Sequence, residues 1–214
     1  MEFDNNWLLS AMTFVPLVGA AIVIAIPKVQ EEMIKAVALL TSLVAAGLGA
    51  YLLIDFDYDN AGELQYVADE SWIGIINSRY IIGVDGMSLP LLALTLLVVP
   101  LCIIYTFGHF PEPRNPKAIL SLILILETGM LGTFVAQDLI LFFVFFEVVL
   151  LPMFFLIAVW GGEDRRYASL KFFLYTMFGS ALMLVSFLAM YFLADGTIVG
   201  DEANTFSMIA LSNG

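Results

Sequence analysis

Apolar residues in this chain fall into six long runs separated by short polar stretches. The runs extend from about Trp7 to Ile26, Met33 to Ile54, Leu89 to Gly108, Ala118 to Val135, Leu139 to Trp160 and Ala168 to Leu193. Each is roughly 18–26 residues, enough to cross about 30 Å of hydrocarbon at about 1.5 Å of helix rise per residue. Backbone polar groups find no water inside a bilayer, so runs of this length must be helices there. A closed barrel would need short alternating strands, and these runs do not alternate. The pattern predicts an all-α polytopic membrane protein with six transmembrane helices.

Composition supports that solvent. Hydrophobic residues make up 61% of the 214 and charged residues only 13%, against roughly 25% charged in soluble domains. The net charge of −12 does not describe a solvated acidic protein, because the acids crowd into a few loops. The chain has no basic patch, so nucleic acid is excluded as a partner and the lipid bilayer is the expected one. The single cysteine, Cys102, lies inside an apolar run. It has no internal disulfide partner, and no Cys/His metal spacing exists. His109 is the only histidine, which argues against a bis-histidine haem. The start Met1-Glu2-Phe3-Asp4 lacks the basic flank of a cleaved signal, and the first run is long enough to stay in the membrane.

The basic residues orient the chain. Lys28 and Lys35 flank the loop between spans one and two, Arg114 and Lys117 lie between three and four, and Arg165, Arg166 and Lys171 between five and six. Only Arg79, of eight basic residues, falls on the other side. The positive-inside rule makes the common face cytoplasmic, with the N-terminus and residue 194 onward outside, in the cell (inner) membrane. Three regions follow: residues 1–108 with spans one to three, residues 118–193 with spans four to six, and an outer polar tail, 194–214. The one sizeable loop, 55–88, holds two short β-favouring runs, Trp72 to Ile76 and Arg79 to Val84, around Asn77-Ser78. They predict an outer β-hairpin, with an amphipathic interfacial segment as the alternative. In span two, Ala45 with Gly49 and Ala46 with Ala50 place small residues at helical spacing. That spacing suits close helix approach or reflects ordinary membrane-helix composition.

Two carboxyls lie where lipid should exclude them. Glu127 is in the middle of span four. Glu147 is eight residues into span five, inside Phe142-Phe143-Val144-Phe145-Phe146-Glu147, about 12 Å below its outer end. A charge at that depth costs about 2.5–3.5 kcal/mol on insertion scales. Desolvation penalises a carboxylate and a nearby cation offsets that penalty, so a carboxyl poised between the two can load and release a proton. Pro152 adds to the case at Glu147. It has no N–H for the Val148 carbonyl, which predicts a helix kink and a free polar group beside the acid. The competing role for Glu147 is a simple interhelical hydrogen bond. Glu127 is a second proton-transfer candidate, with a simple packing site, suggested by Thr128 and Gly129 beside it, as the alternative. Lys171, near the inner end of span six, either serves proton transfer or snorkels to the interface. It is too far along the helices for a direct salt bridge to Glu147. Asp138, in the turn between spans four and five, is placed to cap span five.

The stretch Gly132-Thr133-Phe134, Gln137-Asp138-Leu139, Phe145-Phe146-Glu147, Leu151-Pro152-Met153, Trp160-Gly161-Gly162 and Lys171-Phe172-Phe173-Leu174-Tyr175-Thr176 forms a joint pattern. Upstream, Gly83-Val84-Asp85-Gly86-Met87-Ser88-Leu89-Pro90 fits as well. Together these resemble the M subunits of NADH–quinone oxidoreductase (respiratory complex I), whose plastid and cyanobacterial counterparts are D subunits. The resemblance covers nearly the whole chain. It implies an antiporter-like subunit in the membrane arm, working with other membrane-arm subunits, through which quinone reduction elsewhere drives proton movement. It implies no cofactor in this chain, with NAD, flavin and iron–sulfur clusters in other subunits. The family's glutamate of span five matches Glu147; in the family it works with a lysine of the seventh helix as a proton-transfer switch. The family's basic residue at the start of span six matches Lys171.

The sequence departs from that family in extent. Family members continue past span six into a second inverted repeat with broken helices and the seventh-helix lysine, none of which this sequence contains. The tail 194–214 reads as an outer loop ahead of a further span, so a fragment or truncated product is expected. Two further readings stand beside the complex I subunit. One is a subunit of a multi-subunit sodium/proton antiporter, which shares the fold and the span-five glutamate. The other is a non-functional truncated product. Leu89-Pro90 and Glu147-Val148-Val149-Leu150-Leu151-Pro152-Met153 favour the first.

Overall fold

The computed structural model describes residues 7–193 and 205–212. Six helices are long and apolar enough to cross a membrane. They are α1 (Leu8–Ala25), α2 (Glu31–Asp55), α3 (Ser88–Gly108), α4 (Pro116–Val135), α5 (Leu139–Trp160) and α6 (Arg165–Leu193). A short helix, α7 (Met208–Ser212), follows. The six spans agree with the apolar runs to within a few residues. Polar caps fix two of the starts. Asn115 accepts the Ala118 N–H at 3.3 Å with Pro116 in the first helical turn, where the missing proline N–H costs nothing. Asp138 accepts the Ile140 and Leu141 N–H groups at 3.0 and 3.1 Å.

Helix α4 is the centre of the bundle. It packs on α1, α2, α3 and α5, whereas α6 packs chiefly on α5. The most apolar stretch of α4 is 56% buried inside the protein and that of α6 only 11%. The α4–α5 contact is close because Gly129 and Gly132 face it. A Cβ on Gly129 would lie 2.7 Å from the Val149 side chain, and one on Gly132 would run into the Phe145 ring. In α2, Ala45 and Gly49 are buried, and a side chain at Gly49 would meet Leu96 of α3; Ala46 is half-buried and Ala50 exposed. Ala45–Gly49 is the buried pair; of the other, Ala46 packs against the core and Ala50 does not.

The loop after α2 forms an antiparallel hairpin of β1 (Gln65–Ile73) and β2 (Ser78–Val84). The expected second strand is there, but the first begins seven residues earlier than the Trp72–Ile76 run suggested. Gly74–Ile76 instead make a single 3₁₀ turn, closed by Asn77 in the left-handed region at φ 50°, which asparagine tolerates better than most residues. The polar sequence Ala68-Asp69-Glu70-Ser71 pairs across to β2 and ties Asp69 to Arg79 at 2.7 Å, so charge pairing rather than apolar alternation marks β1.

The hairpin sits on the end of the bundle that carries the α4–α5 turn. Gln137 donates its N–H to Ile81, and Asp138 accepts from Ser78 Oγ and the Arg79 N–H at 3.0 and 3.1 Å. The same turn holds residues 205–212. Leu139 N–H donates to Phe206, Met208 N–H donates to Gln137, and the buried Phe206 ring stacks on Tyr191 with centroids 4.4 Å apart. The described part of the expected polar tail is therefore a packed element. The remainder, 194–204 and 213–214, lies outside the described residues, as do residues 1–6.

Candidate functional site

The apolar core divides into two clusters. One, toward the hairpin, includes Met12, Ala45, Leu96 and Leu131; the other, toward the basic loops, includes Ala20, Ala38, Val99 and Leu124. Between these limits along the helices lie Thr13, Ser42, Glu127 and Thr128, all buried. Ser42 of α2 donates to Glu127 Oε1 at 2.9 Å. Glu127 is fully enclosed, and its other oxygen, like the Thr13 and Thr128 hydroxyls, has no hydrogen-bond partner among the described residues. A polar layer thus crosses the bundle at mid-depth. Ser42 was not singled out by the sequence. Its signal was faint: one hydroxyl in an apolar run, common in membrane helices.

Glu147 occupies the same depth. Glu127 and Glu147 each lie eight residues from the end of their helix nearest the hairpin, at Val135 and Leu139, or about 12 Å of helix rise. The two acids do not face each other. Phe145 and Val149 pack against Gly129 and Gly132 of α4. Glu147, midway between them in sequence, is turned about 160° from that contact, and Glu127 is turned about as far from Gly129. The carboxyls therefore point away from the α4–α5 seam in opposite directions: Glu127 into the α1–α4 bundle, Glu147 to the far side of α5. Glu147 is half-buried, and its Oε1 is enclosed without a hydrogen-bond partner among the described residues.

The far side of α5 is marked by Phe154, which shares the Glu147 face two turns on and meets Phe173 of α6 at 5.3 Å between ring centroids. Two turns further along α6, Ser180 reaches the level of Glu147 because the helices are antiparallel. Ser180 and Ser169 are the buried residues of α6. Lys171 is exposed, lies over the Tyr167 ring at 5.7 Å and sits about 14 Å along the axis from Glu147 by the same register. Among the described residues, neither acid nor Lys171 forms an ion pair. Helix α5 runs through Pro152 as one helix, with no proline N–H for the Val148 carbonyl. Asp138 is fully buried and caps α5.

Lys35, expected to flank the loop between spans one and two, lies near the start of α2, with its side chain 4% exposed, paired to Glu32 at 3.2 Å and 5.5 Å from the Phe107 ring centre. The Glu32–Lys35 spacing, three residues on a helix, is the signal that locates it.

The family described as NADH:quinone oxidoreductase/Mrp antiporter, transmembrane, matches residues 136–213. NADH-quinone oxidoreductase subunit M of Rhodobacter capsulatus is 42% identical over 194 residues, covering 89% of this chain. The chain belongs to this family. It spans only 37% of that relative's length. F(420)H(2) dehydrogenase subunit M of Methanosarcina mazei is 34% identical, over 86% of this chain and 36% of its own. A chain of respiratory complex I from Thermus thermophilus with bound NADH superposes with a TM-score of 0.75 at 24% identity, over 95% of this chain and 38% of that one, a likeness of fold. The chain is a multi-pass membrane protein of that fold. The family match takes in Glu147, Pro152 and Lys171 and begins after Glu127.

Proposed function

We propose that the chain forms part of the proton path in the membrane arm of a quinone oxidoreductase, where quinone reduction in other subunits drives proton translocation. The observation that carries this reading is Glu147: a carboxyl at mid-depth in α5, with one oxygen enclosed and unpartnered, on the side of the helix turned away from the packed bundle. A carboxyl so placed is held without the fixed partner that would lock its charge, which is what a proton-exchanging group requires. Pro152 leaves the Val148 carbonyl free one residue from the acid, a polar group that helps a proton approach. Lys171 supplies a cation about 14 Å further along the axis, on the exposed side of α6. The seventh-helix lysine expected from the resemblance would act as the switch partner of Glu147. Glu127, turned the other way and held by Ser42, serves a separate polar layer.

In this reading the basic end of the bundle is cytoplasmic, with the hairpin and residue 194 onward outside. The chain itself carries no cofactor, and NAD, flavin and iron–sulfur clusters belong to partner subunits. The electron donor is left open by relatives named for NADH and for F(420)H(2). A sodium/proton antiporter subunit is the second reading, favoured by the Mrp antiporters included in the matched family.

The test is Glu147→Gln in the complete subunit, assembled in its complex and reconstituted in vesicles. Quinone-linked proton uptake should fall to a small fraction of wild type while the complex still assembles. Undiminished pumping by the assembled variant would remove Glu147 from the mechanism. Proton uptake that requires sodium and proceeds without quinone reduction would favour the antiporter.

A further inference from the structure

The basic end of the bundle carries a cavity of about 470 Å³ between the α1–α2 loop, the α3–α4 loop and the last turns of α5. Its rim and its wall differ in chemistry. Lys28, Arg114 and Lys117 supply three cations at the rim against one acid, Glu31. Glu31 is already engaged, since Arg114 holds its Oε2 through Nε and Nη2 at 3.1 and 2.8 Å. That pair uses two of the five guanidinium N–H donors. Lys117 Nζ donates to the Ile26 carbonyl at 3.0 Å and keeps two further protons. Lys28 is exposed and forms no ion pair among the described residues. Glu112 stands beside the rim with its carboxylate accepting the Arg114 backbone N–H at 3.0 Å, and Glu32, paired by Lys35, also acts on Arg114. Counting Lys28, Lys35, Arg114 and Lys117 against Glu31, Glu32 and Glu112, the rim keeps an excess of one positive charge.

Below the rim the lining becomes apolar. Leu122 lies six residues into α4, while Phe155 and Val159 lie in the last turns of α5, so the wall descends about 9 Å into the spanning region. Phe155 is 47% exposed on the outer surface of the bundle. Trp160 stands between rim and wall, its indole N–H donating to the Pro113 carbonyl at 2.9 Å, the arrangement of a tryptophan at a membrane interface.

We infer that this cavity seats an anionic phospholipid, its phosphate among Lys28, Arg114 and Lys117 and the start of an acyl chain along Leu122, Phe155 and Val159. Basic pockets between transmembrane helices suit such headgroups. A free phosphate would use the rim but gain nothing from the apolar wall. The wall points to lipid, and the charge excess points to an anionic one. The site does not depend on which side of the membrane this end faces, nor on the role of Glu147.

The test is native mass spectrometry of the full chain in mild detergent, titrated with phosphatidylglycerol, with phosphatidylcholine of the same acyl chains, and with inorganic phosphate as competitor. Phosphatidylglycerol should be retained in preference to phosphatidylcholine, and millimolar phosphate should not displace it. Lys28→Gln with Lys117→Gln should weaken phosphatidylglycerol binding about thirtyfold, while Arg79→Gln at the opposite end should not. Leu122→Trp, which fills the wall and keeps every charge, should also lower retention. Equal retention of both lipids would overturn the inference, as would displacement by phosphate. If the double lysine variant does not fold, the two lipids on the wild-type chain and Leu122→Trp still decide it.

Discussion

At the residue scale, the acids at mid-depth are the informative positions, and the sequence pointed to both. A carboxyl in a run of phenylalanines is conspicuous because hydrocarbon penalises it. What each faces was not legible, because direction on a helix depends on which neighbours pack there. Gly129 and Gly132 decide that, by bringing α5 against one side of α4 and turning the two acids apart. Glu127 then has Ser42 as its partner, which makes a direct prediction. Ser42→Ala should destabilise the chain by about 1–3 kcal/mol, because it leaves a buried carboxyl oxygen unpaired. In a Glu127→Leu background the same change should cost much less, since there is no acceptor to abandon. Denaturant unfolding in detergent measures both. Equal costs in the two backgrounds would mean that the bond at 2.9 Å contributes nothing.

At the scale of elements, helix extents were readable from hydropathy because lipid demands length and apolarity together. The hairpin was only half readable. Its second strand is apolar, but the first is built on charge pairing and a polar register. The segment after it shows how local chemistry starts a membrane helix. Asp85 accepts the Met87 and Ser88 N–H groups at 3.2 and 2.8 Å, and Ser88 Oγ accepts the Asp85 N–H at 3.0 Å. Partial burial pushes the Asp85 carboxyl up, but the hydrogen bonds from Ser88 and Met87 outweigh it and hold the pKa below the ordinary aspartate value. A depressed folded pKa means stability that is present above the unfolded value, about 3.9, and lost as pH falls through the lower folded value. Asp85→Asn keeps a side-chain acceptor for the cap and removes the charge, so it should destabilise the chain at pH 7, and the gap to wild type should be smaller at about pH 3, below the unfolded value. Thermal unfolding followed by tryptophan fluorescence at the two pH values checks this. A gap of constant size would separate the cap from the carboxyl's charge.

For the whole molecule, connectivity and charge together fix an arrangement that hydropathy alone leaves ambiguous. Six antiparallel spans bring the α1–α2, α3–α4 and α5–α6 loops to one end, with seven of the eight basic residues. The hairpin, the α4–α5 turn and residues 205–212 meet at the other. These contacts tie the region after α6 to the hairpin end: Phe206 is 2% exposed there and its carbonyl accepts the Leu139 N–H at 2.9 Å. That linkage turns the orientation into a test with two coupled readouts. A periplasm-active reporter fused after Leu193 and a cytoplasm-active reporter inserted after Lys28 should both give signal. If the orientation were reversed, both would fall silent together. If α6 did not span, only the reporter after Leu193 would fail, and Phe206 could not reach the turn that holds it.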